Sequence, residues 1–191
     1  SSLTYVILPD GLTNIGNTAF ADCGSLINIT MPESITSIGH SAFHECYSLT
    51  NITIPNGIKS INNGVFRFCR SITSVTIPDG VTSIGRDAFG SCDLLESITI
   101  PESVTSIGDH AFNSCNSLKS ITIPKNVTYI GEYSFFKCNS LKEVVFESPE
   151  NWYYANSGSF LEYVSAEELS NATTAASLLK SYSSYSWKKE N

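Results

Sequence analysis

The stretch Leu118–Ser140, LKSITIPKNVTYIGEYSFFKCNS, decides how this chain folds. Closely similar stretches recur with a constant spacing of 23 residues, which is clearest for three residue types. They are Cys23, Cys46, Cys69, Cys92, Cys115 and Cys138, then Phe20, Phe43, Phe66, Phe89, Phe112 and Phe135, then Pro9, Pro32, Pro55, Pro78, Pro101 and Pro124. Six units therefore run from Leu3 to Ser140, and a seventh begins at Leu141 and departs from the pattern after Phe146.

Each unit has a physical interpretation, and the sixth unit shows it most completely. Ile121 and Ile123 alternate with polar residues, which predicts a short strand, and Pro124 ends that strand because proline has no amide hydrogen. The next dipeptide, Lys-Asn, is typical of a turn. Gly131 follows, a residue that can accept an unusual backbone angle. The segment with Phe135 and its cysteine predicts one helical or 3₁₀ turn.

A unit of this length cannot bury its own apolar face, whereas stacked copies bury a continuous core. The sequence therefore predicts an α/β repeat solenoid of about seven 23-residue turns. It should have one parallel sheet, with short 3₁₀ or helical turns on the opposite side. In the third unit Asn62 replaces the glycine, which we expect to be tolerated because asparagine accepts left-handed backbone angles. Since the unit length is unchanged, we expect a regular solenoid.

The composition changes at Ser148. The stretch from Ser165 to Glu168 fits a capping box, and Ser170 or Asn171 could also start a helix that runs to about Lys180. We expect a C-terminal cap that contains a short helix, covers the last repeat and belongs to the same domain. The residues expected to close the end of the sheet are Ala172, Ala175, Ala176, Leu178, Leu179, Trp152, Tyr153, Tyr154, Tyr163, Tyr182, Tyr185 and Trp187. The predicted parts are thus the solenoid, residues 1–147, and the cap, residues 148–191.

The N-terminal edge has no comparable segment. Ser1 and Ser2 match the close of a preceding unit, and solenoids need polar caps at both ends. We therefore expect the natural protein to continue upstream, with any signal and anchor outside this chain. The uncapped edge is a candidate for end-to-end contacts.

Composition excludes several functional classes. With 18 acidic and 11 basic residues the net charge is −7, which argues against nucleic-acid binding because phosphates require clustered Lys and Arg. No apolar run approaches the roughly 18 residues of a membrane helix. Only 15% of residues are charged, so we expect a polar but weakly charged surface.

The cysteine row invites three interpretations. Zinc requires ligands that converge, whereas a row of parallel side chains does not. Stacked neighbours at about 4.8 Å lie within disulfide range, but parallel Cβ vectors suit the bridge geometry poorly. Buried free thiols are favoured, and some bridging stays open.

No other residue pattern indicates catalysis, a metal or a cofactor. His40 and His44 are four residues apart in HSAFH, but the glutamate of a metalloprotease motif is missing. Exposed histidines are the better interpretation. Glu167 and Glu168 are adjacent on a helix and cannot face each other as a glycosidase pair does. We expect a protein that is not an enzyme.

The remaining candidate site is the outer face of the sheet, which we expect to be concave. Its exposed positions are predicted to be Asn28, Thr30, Asn51, Thr53, Ser74, Thr76, Ser97, Thr99, Ser120 and Thr122. Hydroxyl and amide groups on this face could support the sheet through cross-strand contacts. They could equally form a neutral surface for a protein or glycan, because solenoids bind along extended surfaces.

The unit resembles the BspA-like, or Treponema-type, leucine-rich repeat, in which I-P, I-G, A-F and C occur at these spacings. The resemblance covers residues 3–146. It implies a non-enzymatic bacterial surface or secreted protein that serves adhesion or protein interaction, and it transfers no catalytic residue. The alternative is a structural spacer whose repeats display another domain and bind nothing themselves.

Overall fold

The computed structural model describes residues 2–155 and 162–190, so that Ser1 lies outside it. The predicted solenoid is confirmed, and its turns repeat the 23-residue unit. The solenoid strands are β1 (Tyr5–Ile7), β2 (Asn14–Ile15), β3 (Asn28–Thr30), β4 (Ser37–Ile38), β5 (Ser60–Ile61), β6 (Ser74–Thr76), β7 (Ser83–Ile84), β8 (Ser97–Thr99), β9 (Ser106–Ile107), β10 (Ser120–Ile123), β11 (Tyr129–Ile130) and β12 (Glu143–Phe146). The cap consists of β13 (Trp152–Ala155), β14 (Glu162–Val164), α1 (Ala166–Ser170), α2 (Ala172–Ser181) and β15 (Ser186–Lys189).

The strands before the prolines form the predicted row, but this first row is not one continuous sheet. Among the described residues it pairs as β1–β3, β6–β8 and β10–β12, all parallel. The third repeat adds only the bridge between Asn28 and Asn51. Most of these strands have three residues and a proline soon follows, so each contributes few ladder hydrogen bonds.

A second row of strands, which was not predicted from the sequence, lies between the turn and the glycine of each repeat. These strands are only two residues long, mostly Ser-Ile, with the isoleucine buried. β5, β7, β9 and β11 join in parallel, and they form the longest run of paired strands in the solenoid.

The repeat glycine is needed for close approach between repeats, and it does not use the unusual backbone angle that glycine can accept. Gly131 has no positive φ, but a Cβ there would lie 2.3 Å from the Asp109 amide nitrogen. Asn62 has no positive φ either. In the second, fourth, fifth and sixth repeats the backbone amide of this glycine donates to the carbonyl of the isoleucine in the preceding repeat, as Gly85 does to Ile61 at 2.7 Å. In the third repeat the Asn62 side-chain amide donates to Ile38 instead, also at 2.7 Å.

This substitution interrupts the second row, so the solenoid is less regular than expected. Within residues 2–155, β4 pairs with β2 and β5 pairs with β7, but β4 and β5 do not pair. The Asn62 side chain takes the place of a backbone amide, and that is why the two backbones do not meet there.

The Phe-and-Cys segments form tight turns that also bond between repeats. In the first repeat Cys23 donates to the Phe20 carbonyl, which is the three-residue spacing of a 3₁₀ turn. The Phe20 amide itself donates to Ala42 of the next repeat at 2.8 Å. Flanking residues such as Thr18 and Asp22 have positive φ, which turns alternate amides towards the neighbour. The surface that carries these turns is called the turn side below.

The core lies between the two strand rows and the turn side. Its phenylalanines stack from Phe20 to Phe135 with ring centroids 5.4–5.6 Å apart. Phe43, Phe66, Phe89 and Phe112 are fully buried. This confirms the apolar ladders that the repeat predicts.

The cap closes the C-terminal end of the second row. β15 pairs antiparallel with β11 on one side and with β13 on the other, and Trp187 and Trp152 are both buried. The capping box between Ser165 and Glu168 is present at the start of α1. Asn171 caps α2, whose inner face buries Ala175, Ala176 and Leu179 as predicted.

Candidate functional site

The predicted polar residues lie on the outward-facing side of the first-row strands. We call this surface the sheet face. Nine of the ten are exposed, whereas Asn28 is half-buried. Pairing places Ser74 beside Ser97 and Thr76 beside Thr99, so equivalent hydroxyl groups follow one another along the stack. Since this row carries few charges, it offers hydrogen-bond donors and acceptors without strong electrostatic selection.

Two shallow depressions interrupt the sheet face, and both border the third repeat. One has a volume of about 460 Å³ and is lined by Asn28, Thr30, Asn51 and Thr53 together with Ile29 and Met31. The other has a volume of about 430 Å³, and Ser74 and Thr76 of the fourth repeat belong to its lining. Asn51 and Thr53 line both. The interrupted strand row therefore brings six of the ten predicted residues around one irregular segment.

Apolar residues replace the threonine at both ends of the sheet face. Ile7 occupies the threonine position in the first repeat and is 69% exposed, while Val145 occupies it in β12 and is 48% exposed. Beside Ile7, Tyr5 pairs with Asn28 and is also exposed. The row of hydroxyl and amide groups therefore lies in the middle repeats, and at the C-terminal end Glu143 pairs with Ser120 and adds an exposed carboxylate.

The cysteines are thiols packed in the core. The sulfur of Cys92 lies 3.2 Å from the Phe66 carbonyl oxygen, and the equivalent contact recurs along the row. Burial raises the pKa of Cys46 and of Cys138 to about 12. It also raises the pKa of Cys69, Cys92 and Cys115 well above the ordinary value. These groups are therefore poor nucleophiles in the folded protein.

His44 and Glu45 belong to a hydrogen-bonded group on the turn side. Their side chains and that of Asp22 bring one potential ligand atom each to within 4.8 Å of one another. Glu45 accepts the Tyr47 hydroxyl at 2.5 Å, and this bond is the main cause that lowers the Glu45 pKa. The carboxylate is therefore already engaged by its neighbours.

A cationic cluster on the turn side was not predicted from the sequence. All three arginines of the chain, Arg67, Arg70 and Arg86, fall in the third and fourth repeats. The guanidinium of Arg67 lies over the Phe68 ring at 4.9 Å, and that of Arg70 lies over Tyr47 at 5.2 Å. Their concentration in a short stretch of an acidic chain was the signal that could have revealed them.

No described helix is long and apolar enough to cross a membrane. No curated protein matches the chain.

Solved structures resemble the fold closely. A leucine-rich cell surface protein from Faecalibacterium prausnitzii is 36% identical, with a TM-score of 0.74 over 82% of this chain and 43% of that one. The chain thus spans less than half of that protein's length. The T. pallidum leucine-rich repeat protein is 30% identical, with a TM-score of 0.65 over 74% of this chain and 79% of that one. A leucine-rich repeat protein from Bacteroides ovatus, 21% identical with a TM-score of 0.52, shares the fold over 76% of this chain and 64% of its own.

The family model for the BspA-type leucine-rich repeat region matches in six copies, over residues 1–94 and 59–188. That match extends across the repeats and most of the cap. This chain belongs to the BspA-type leucine-rich repeat family.

Proposed function

We propose that this chain is a non-enzymatic module on the bacterial cell surface, or secreted, that binds a protein or glycan of a host or neighbouring cell through its sheet face. Membership in the family indicates a protein-interaction module, and proteins of this family are generally not enzymes. The F. prausnitzii relative is a cell surface protein, which indicates an extracellular location for this chain too.

The observation that carries the proposal is the irregular segment in the middle of the sheet face. Asn51 and Thr53 lie between two depressions of several hundred cubic ångströms, a size typical of ligand sites. Most of the polar side chains around the depressions are amides and hydroxyls, which suit the polar groups of a peptide backbone or a sugar. Glu33 adds one carboxylate, and Ile29, Met31, Ile52, Ile54 and Pro78 add apolar surface.

The test is binding of the purified chain to extracellular-matrix proteins, mucins and immobilised glycans at physiological salt. Thr76→Arg and Thr99→Arg place a bulky cation on the sheet face, and Thr105→Arg places the same residue at an exposed position outside it. We expect saturable binding that the first two substitutions abolish and the third preserves.

A folded chain that binds nothing on this panel would support the spacer alternative. Equal loss in all three variants would show that the sheet face is not the site.

A further inference from the structure

Two ladders of equivalent positions on the turn side change their charge along the stack. One consists of Asn17, His40, Asn63, Arg86, Asp109 and Glu132, and the other of Ala21, His44, Arg67, Gly90, Asn113 and Phe136. Both carry their cationic or imidazole side chains in the second to fourth repeats. The first ladder becomes acidic in the fifth and sixth repeats. These two ladders therefore concentrate their basic side chains in the second to fourth repeats, although the chain as a whole is acidic.

These side chains surround a pocket of about 400 Å³. His40, His44, Arg67 and Arg86 line it together with Asp87, and Gly64 also belongs to its lining. Other repeats place a side chain at the Gly64 position, for example Ser41 and Asp87. Gly64 has a φ of +64°, and a Cβ there would lie 3.0 Å from the Ser41 hydroxyl. The glycine therefore opens the space between the neighbouring repeats.

Asp87 holds both arginines at the pocket. Its two carboxylate oxygens lie 3.7 Å from the Arg67 Nε and 3.5 Å from the Arg86 Nε. The Asp87 side chain is only 20% exposed, while those of Arg67 and Arg86 are 42% and 63% exposed. The Asp87 carboxylate balances the charge of one of the two guanidinium groups. The three side chains together therefore keep one net positive charge, and the arginines expose it to solvent.

Phe68 fixes the position of two of the lining side chains. The Arg67 guanidinium lies over its ring at 4.9 Å, and the His44 ring meets it edge-on at 5.6 Å. Side chains held in this way lose less conformational entropy when a ligand binds. Phe68 is a positioning residue for the pocket.

We propose that this pocket binds the carboxylate or sulfate group of an acidic glycan. The planar donor fork of arginine matches such oxyanions. Ser41 and Asp87 supply oxygens that can accept hydrogen bonds from sugar hydroxyls. An acidic peptide would instead place more carboxylates beside Asp87 and the nearby Glu45. The pocket shares no lining residue with the depressions of the sheet face, and the proposal does not depend on binding there.

The test compares two double variants that remove the same charge. Arg67→Gln with Arg86→Gln changes the pocket. Lys119→Gln with Lys125→Gln removes two exposed cations that pair with Glu96 and Glu102 elsewhere on the solenoid. The probes are heparin for sulfate, hyaluronan for carboxylate, dextran as a neutral polysaccharide and polyglutamate as an acidic peptide.

At about 0.15 M ionic strength we expect saturable binding to heparin or hyaluronan, and the probe that binds identifies the anion. The arginine variant should bind at least tenfold more weakly, and the lysine variant should stay within twofold of the unchanged protein. Equal losses in the two variants would overturn the proposal. So would tighter binding of polyglutamate than of either glycan, or the absence of saturable binding.

A second pair of variants covers the case in which the arginine variant fails to fold. Phe68→Leu removes the aromatic face without changing charge, and Phe68→Tyr keeps it. We expect weaker glycan binding for leucine and restored binding for tyrosine at similar thermal stability. Unchanged binding by the leucine variant would contradict the positioning role.

Discussion

The side-chain amide of Asn62 donates to the Ile38 carbonyl at 2.7 Å, where the neighbouring repeats use the backbone amide of a glycine. The single asparagine thus satisfies the acceptor while it separates β4 from β5. The interruption of the second row lies in the third repeat, which also borders both depressions of the sheet face.

Replacement of Asn62 tests this exchange. Asn62→Ala leaves the Ile38 carbonyl without its donor, which should lower the free energy of unfolding by about 1–3 kcal/mol. Asn62→Gly lets the two backbones approach and should be less destabilising than alanine. Urea denaturation of the two variants checks the order. A glycine variant that is less stable than the alanine variant would contradict the interpretation.

The phenylalanine stack should be the main contributor to stability. Phe89→Ala removes a fully buried ring between Phe66 and Phe112 and should cost about 3–5 kcal/mol. Phe136→Ala is the control, because Phe136 in the sixth repeat is an exposed phenylalanine outside the stack. Chemical denaturation measures both. A loss below about 1 kcal/mol for Phe89→Ala would show that the stack is not the core.

Thiol reactivity should follow burial along the cysteine row. Cys23 is half-buried at the first repeat, whereas the other five cysteines are buried. We expect iodoacetamide to label Cys23 first and the rest only after unfolding, as mass spectrometry of the intact protein can show. Cys23→Ser should remove the fast phase. Rapid labelling of Cys92 in the folded protein would contradict this packing.

Stability should decline in alkaline solution because the folded state keeps the thiols protonated. Burial raises the pKa of Cys138 from 9.0 to about 12 in the folded protein. The contribution of the buried, protonated thiol to stability is therefore complete below pH 9, and it is lost as the pH rises towards 12, because the thiol of the unfolded chain ionises first. Urea midpoints at several pH values in this window measure the decline. Cys138→Ala should make the decline shallower, and an unchanged slope would contradict the assigned cause.

The capping box should stabilise the start of α1. Ser165→Ala removes the hydroxyl that accepts the Glu168 amide and should cost about 0.5–2 kcal/mol. Ser177→Ala changes an exposed serine within α2 and should have little effect. Equal losses in the two variants, measured by thermal unfolding, would contradict the capping role.

The solenoid and its continuous buried core could be predicted because each unit repeats the same pattern, with Phe, Cys and Pro in fixed positions. The second row of strands could not be predicted, because a strand of two residues such as Ser83–Ile84 is too short to show an alternating pattern. The role of the glycine was misjudged for a similar reason. A close approach between Gly131 and Asp109 belongs to two repeats and is not visible in one.

The cap shows the same limit. Ser165 and Asn171 cap its helices through local sequence rules, and both were among the predicted starting points, although the sequence predicted one short helix and the structure has two. The return of β15 to β11 depends on the chain reversing over more than fifty residues, which no local pattern specifies. The arginine pocket was missed because its residues come from three repeats, and only stacking brings them together.

The antiparallel pairing of β15 with β11 limits the places where a further repeat could be inserted into the solenoid. Ile130 pairs with Trp187, so β15 already occupies the edge of β11 that would receive another parallel strand. A duplicated 23-residue unit upstream would meet neighbours that share its pattern of buried residues. One inserted after Ile130 would separate the two partners. Repeat number in such a protein can therefore vary during evolution while the terminal repeat and its closure are inherited as one piece.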